Sequence, residues 1–158
     1  MKVGWIGTGV MGASMAGHVR KAGHDLYVYN RTKGKSEGLL KKGAHWCESP
    51  AMVAENSEIL FTIVGHPSDV EEVYLGEKGV FSTEAPIQIV VDMTTSRPSL
   101  AQTIARESAS RGVQSLDAPV SGGDIGARDG TLAIMVGGEK KAFSQVLPFF
   151  QVMGKNIS

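Results

Sequence analysis

Along the chain, two hydrophobic periods take turns. Short β-rich apolar runs at 2–6, 25–29, 59–64, 87–91, 113–116 and 131–136 predict strands. The run 59–64 is apolar without alternation, as expected of a strand covered on both faces. Between these runs, apolar residues recur at helical spacing over 10–21, 98–111 and 140–150; in the second, Leu100, Ile104 and Ala105 fall on one face. Helix starts are readable too. Ser49 precedes Pro50, a favoured first helical residue, and Ser68 with Glu71 predicts a capping box. The stretch from 117 to 130 reads as a loop. Repeated strand–helix–strand units of this kind predict a mostly parallel, doubly wound sheet with helices on both faces.

The first stretch admits a second reading. Lys2 followed by an apolar run that ends in small residues at Ala13 to Gly17 has the outline of a secretory leader. A leader has no reason to space glycines, however, and here Gly7, Gly9 and Gly12 form G-x-G-x-x-G between a strand and a helix. A second strand then follows. That context predicts a phosphate-binding turn. Gly7 would allow the tight bend, Gly9 the approach of a pyrophosphate, and Gly12 close helix–strand packing.

Composition narrows the function classes. The 158 residues carry 16 basic and 16 acidic side chains, so no charge excess points to nucleic acid or an anionic membrane. No apolar run reaches the ~18 residues of a membrane span. Cys47 is the only cysteine, which rules out an internal disulfide, suits a reducing cytoplasm and predicts a small buried hydrophobe. His18, His24, His45 and His66 show no spacing that suggests a metal site. The length fits one domain with a substantial core.

The end of the second strand bears on the cofactor. An NAD site usually has Asp or Glu there for the ribose 2′-hydroxyl. This chain has Asn30, Arg31 and Thr32, with Lys33 and Lys35 beyond. With no carboxylate to repel a 2′-phosphate, and with the Arg31 fork matched to one, NADP is expected ahead of NAD.

Three stretches in order, the glycine turn, "DMTTSRPS" from Asp92 and "DAPVSGG" from Asp117, resemble the β-hydroxyacid dehydrogenases. That family includes 3-hydroxyisobutyrate dehydrogenase and tartronate semialdehyde reductase, with 6-phosphogluconate dehydrogenase more distant. The likeness continues through "GTLAIMVGGEKKAF" to "MGKNI" and so covers essentially the whole chain. It implies a Rossmann-type cofactor domain over 1–158. Gly7, Thr8, Gly9, Val10, Met11 and Gly12 would hold the cofactor phosphates, and Asn30, Arg31 and Thr32 the adenosine ribose. Val64 and Gly65 would line the nicotinamide side, with Asp69 near and Thr95 at the nicotinamide ribose. The family often has Leu-Pro where this chain has Val64 and Gly65, a departure that bears on the geometry of this end. Ser121, Gly122 and Gly123 would cradle the carboxylate of a small substrate.

The resemblance also implies parts that lie outside 1–158. A catalytic lysine is expected in a later glycine-rich helix, and an all-helical domain is expected to close over the substrate and form a homo-oligomer. No residue of 1–158 is therefore assigned a catalytic role, and the segment alone is expected to bind cofactor without turnover; His66 is the only histidine near the nicotinamide end. A non-catalytic NADP-sensing or assembly module is the alternative function. An imine reductase would not need the carboxylate loop at Ser121.

Overall fold

The computed structural model describes every residue from Met1 to Ser158. Parallel strands β1 (Lys2–Ile6), β2 (Asp25–Tyr29), β3 (His45–Trp46), β4 (Ile59–Thr62), β5 (Ile89–Asp92) and β6 (Gln114–Asp117) form the main sheet. Its order is β3-β2-β1-β4-β5-β6, extended at the β6 edge by the short antiparallel strand β9 (Gly137–Gly138). The chain winds outward from β1 to β3, then returns to lay β4 on the other side of β1. The carboxyl ends of β1 and β4 therefore diverge at a topological switch point, where open α/β sheets bind ligands.

Helices cover both faces, as the periodicity predicted. Helices α1 (Val10–Lys21), α6 (Gly123–Asp129) and α7 (Lys140–Met153) bury Met15, Val19, Ala127, Val146 and Phe150 against Val3, Trp5, Phe61 and Val91. On the other face, α3 (Pro50–Glu55), α4 (Pro67–Leu75) and α5 (Pro98–Ser110) bury Val53, Val73, Tyr74 and Ile104 against Ile6, Leu60 and Val90. Alternate strand residues thus serve opposite cores, as a sheet buried on both sides requires. Trp5 and Phe61, neighbours on β1 and β4, stack with ring centroids 5.2 Å apart.

Several boundaries differ from the sequence-based expectation for identifiable reasons. Strand β4 ends at Thr62 because the Val64 N–H leaves the sheet to donate to Thr94 Oγ1 at 3.0 Å. Helix α4 is capped by His66 and Asp69, not by Ser68 and Glu71: Pro67 takes the first helical position, and Asp69 Oδ2 accepts the His66 N–H at 3.1 Å. The expected loop after β6 contains a short strand, β7 (Val120–Ser121), and α6, which ends at left-handed Gly130. The strand expected at 131–136 is β8 (Leu132–Ile134). It joins a separate sheet between β7 and β10 (Gly154–Ile157), with Leu132 and Ile134 fully buried. The pattern left α2 (Glu37–Lys41) and β3 unread because each is too short to show a period.

Candidate functional site

A cleft of about 800 Å³ opens at the switch point. The glycine turn between β1 and α1 lines it, and the three glycines have different geometric reasons. Gly7 has φ of +102°, and a Cβ there would collide with the Ile63 carbonyl oxygen. A Cβ on Gly12 would collide with the Gly7 carbonyl oxygen. Around Gly9, by contrast, no atom lies within 4 Å of the position a Cβ would take, and its φ of −63° is open to any residue. The internal packing requires glycine at 7 and 12 only; at 9, glycine keeps open a cradle facing the cleft.

The turn is held from behind. The buried Trp5 indole N–H donates to the Gly7 carbonyl at 2.9 Å, and the Gly7 N–H donates to the Tyr29 carbonyl at 3.0 Å. Asn30 Oδ1 accepts the Thr8 N–H at 2.9 Å, which ties the end of β2 to the turn. The first α1 amide with a helical partner is Ala13, donating to the Gly9 carbonyl. The amides of Val10, Met11 and Gly12 therefore belong to the free first turn of a helix without acidic residues there, a setting that favours an anion.

Not every residue expected to hold the phosphates faces the cleft. Gly7, Gly9, Met11 and Gly12 line it. Thr8 is buried beneath the turn, its hydroxyl 2.8 Å from Ser36 Oγ, and the Val10 side chain points to solvent. Neither residue lines the cleft.

Asn30, Arg31 and Thr32 line the same cleft, together with Lys35. Asn30 Nδ2 also donates to the Thr32 carbonyl at 2.9 Å, which fixes the loop beyond β2. Lys33 turns away and stands over the Trp46 ring. Asp69 lines the cleft as well, but it is not confined to the side of Val64 and Gly65. Its Oδ1 accepts from Arg31 Nη2 at 2.7 Å, so the carboxylate reaches the end of β2. Glu48, Ser49, Glu77 and Lys78 complete this end of the cleft. Sequence periodicity carried no signal for them, since two-residue β3 and the turn after α4 bring them in.

Val64 and Gly65 line the opposite side of the cleft mouth. The loop after β5 supports them through Thr94, whereas the exposed Thr95 lies outside the cleft lining. Beneath Thr94 is a buried polar network that the sequence pattern did not reveal. Asp92 Oδ1 accepts from the Thr94 N–H at 3.1 Å and from Thr62 Oγ1 at 2.9 Å, and the Tyr74 hydroxyl lies 2.9 Å from that same Thr62 oxygen. Asp92 Oδ2 is buried without a partner. Burial pushes the Asp92 carboxyl up to about 6, with its hydrogen bonds opposing and its in-register neighbour Asp117 adding to the rise. Burial raises Asp117 as well.

Ser121, Gly122 and Gly123 form a separate exposed corner where β7 meets α6 and do not line the cleft. Gly122 and Gly123 have φ of +136° and +64°, conformations that favour glycine at both positions. Cys47 is buried, as expected. Burial, reinforced by Glu48 and Glu55, pushes its thiol up to about 11. His66 caps α4 through its backbone, while Phe149 and Phe150 are core residues. No helix is long and apolar enough to cross a membrane.

A family model described as the NAD binding domain of 6-phosphogluconate dehydrogenase matches residues 2–158. The chain is 50% identical, over 98% of its length, to a probable 3-hydroxyisobutyrate dehydrogenase-like 1 protein, mitochondrial, of Arabidopsis thaliana. It is 44% identical, over its full length, to 2-hydroxy-3-oxopropionate reductase of Escherichia coli. It spans about half of each relative, 46% of the first and 54% of the second. Among solved structures, Psf3 in complex with NADP+ and 2-OPP superposes with a TM-score of 0.90 at 28% identity, covering 99% of this chain and 55% of that one.

Proposed function

The chain belongs to the family of the NAD binding domain of 6-phosphogluconate dehydrogenase, and from that premise we propose that it is the cofactor domain of an NADP-dependent oxidoreductase acting on a small 3-hydroxy acid and its semialdehyde. The observation that carries the reading is the open cradle at Gly9, a glycine with no internal steric need, beneath free helix amides at the switch point. In this reading the amides of Val10, Met11 and Gly12 hold the pyrophosphate, and Gly7, Thr8 and Gly9 shape the turn. Asn30 and Thr32 border the adenosine ribose, while Arg31 and Lys35 receive the 2′-phosphate. Val64, Gly65 and Thr95 flank the nicotinamide portion. When bound, the nucleotide supplies the hydride chemistry.

The carboxylate of the substrate is assigned to the backbone and hydroxyl of Ser121, Gly122 and Gly123. The names of the plant and bacterial relatives support the hydroxy-acid class, and the NADP+ in the Psf3 complex supports the cofactor. Residues 1–158 form one domain of the enzyme. A following helical domain supplies the proton-transferring lysine and the dimer interface. The lone buried Cys47 supports the cytoplasm as its compartment.

Two titrations and one assay test the proposal. Nicotinamide fluorescence should show NADPH binding more tightly than NADH; equal affinities, or tighter NADH, would remove the NADP assignment. The 158-residue chain should oxidise neither 3-hydroxyisobutyrate nor glycerate with NADP. Joined to the expected helical domain, it should oxidise at least one short 3-hydroxy acid. An extended chain inactive on every such acid would favour a sensing module.

A further inference from the structure

The ion pair across the cleft mouth has unequal partners. Arg31 Nη2 meets Asp69 Oδ1 at 2.7 Å, yet the Arg31 side chain is 77% exposed and that of Asp69 only 21%. Asp69 is fixed by its second oxygen, which accepts the His66 N–H in the first turn of α4. The guanidinium stands on a long exposed stem, while the carboxylate is also held by the backbone at the start of α4. Lys35 lines the same cleft and enters no ion pair, so Asp69 engages Arg31 alone.

Resting on the reading of this cleft as a nicotinamide-nucleotide site, we infer that Asp69 is a positioning and specificity-determining residue that competes with a ribose 2′-phosphate for Arg31. A 2′-phosphate must draw Arg31 out of the pair, and it brings a dianion toward a carboxylate that the His66 N–H holds in place. A free 2′-hydroxyl does neither; it leaves the pair intact, and the same carboxylate is able to accept a hydrogen bond from it. Asp69 thus opposes one nucleotide and not the other, and it moderates the preference that Arg31 creates. The sequence pattern, which had no carboxylate at the end of β2, hid this: the acidic group comes from α4, across the cleft.

Asp69→Asn is the informative substitution, because the amide oxygen still accepts the His66 N–H while the charge is gone. In fluorescence titrations of the 158-residue chain, the NADPH Kd should fall about three- to tenfold, the scale on which an exposed ion pair and a nearby like charge act. The NADH Kd should stay constant or rise. The gain for NADPH should shrink in ~1 M salt. It should also be smaller in an Arg31→Ala background, by the share that acts through Arg31. Asp69→Ser, which keeps a capping oxygen, serves as the second variant and should move the ratio the same way. An NADPH affinity that is unchanged or weaker in both variants overturns the inference and leaves the cofactor reading standing. An equal gain with and without Arg31 overturns competition for that residue. Binding of neither nucleotide by the unsubstituted chain overturns the cofactor reading and the inference together.

Discussion

Replacing each glycine of the turn by alanine separates the demands of folding from those of binding. At Gly9 the new methyl meets no protein atom within 4 Å and needs no unusual backbone angle. The stability cost is that of a poorer helix N-cap, at most about 1 kcal/mol. In a chain of this length that lowers the melting temperature by no more than about 4 °C. The same methyl occupies space where a pyrophosphate must approach the backbone. Overpacking of that kind costs about 1–3 kcal/mol, or roughly five- to 150-fold in nucleotide affinity. At Gly7 the order reverses. There φ is +102° and the methyl runs into the Ile63 carbonyl, so Gly7→Ala should lose about 3 kcal/mol or more, as should Gly12→Ala against the Gly7 carbonyl. Thermal melts without ligand, paired with NADPH titrations of each variant that remains folded, read the two quantities separately. A Gly9→Ala chain with unchanged NADPH affinity would refute the phosphate role of the turn. A Gly7→Ala chain with an unchanged melting temperature would refute the steric argument.

The other predictions concern single side chains. Arg31→Ala should weaken NADPH by roughly 10- to 100-fold, the size of a charge-assisted contact, and leave NADH nearly unchanged in the same titration. Asp92 carries its proton in the folded state up to about pH 6 but ionises near 3.8 when unfolded, so the native chain holds the extra proton between those values. Stability should accordingly fall as pH rises through that window, by about 3 kcal/mol from this group. Asp92→Asn should match the parent near pH 4 and exceed it by a similar amount above pH 7 in urea melts, and a difference that stays constant with pH would refute the assignment. Cys47, buried with its thiol pushed up to about 11, should resist thiol reagents at pH 8 until the chain is unfolded, as mass spectrometry would record.

What could be read from the sequence follows from which forces act locally. The run from β1 through α1 to β2 was legible to its ends, because period, glycine spacing and turn chemistry agree there. The cap of α4 was misread since Pro67, a backbone constraint, outranks a favourable Ser–Glu spacing. The stretch after β6 looked like a loop because Gly122, Gly123, Gly126 and Gly130 break any apolar period, and packing against α1 makes it helical, with His18 Nε2 2.9 Å from the Ala127 carbonyl. At the candidate site, residues beside their own motif were found. The Arg31–Asp69 pair and the Thr62–Asp92–Thr94 network were not, because each joins segments some 30 or more positions apart.

Every residue lining the cleft falls between Ile6 and Lys78, whereas the exposed corner at Ser121 belongs to the later half. Under the proposed assignment, cofactor choice and substrate choice are written on separate stretches of chain, and point changes around Arg31 would leave the corner at Ser121 unaltered. The independence has a limit set by packing. Phe149, from α7, rests 5.6 Å from Phe61 and 4.7 Å from His24, ring centre to ring centre. A transplant of the first stretch into another protein would carry all the cleft's side chains but expose the Trp5–Phe61 stack, unless the host supplied a helix to stand where α7 does.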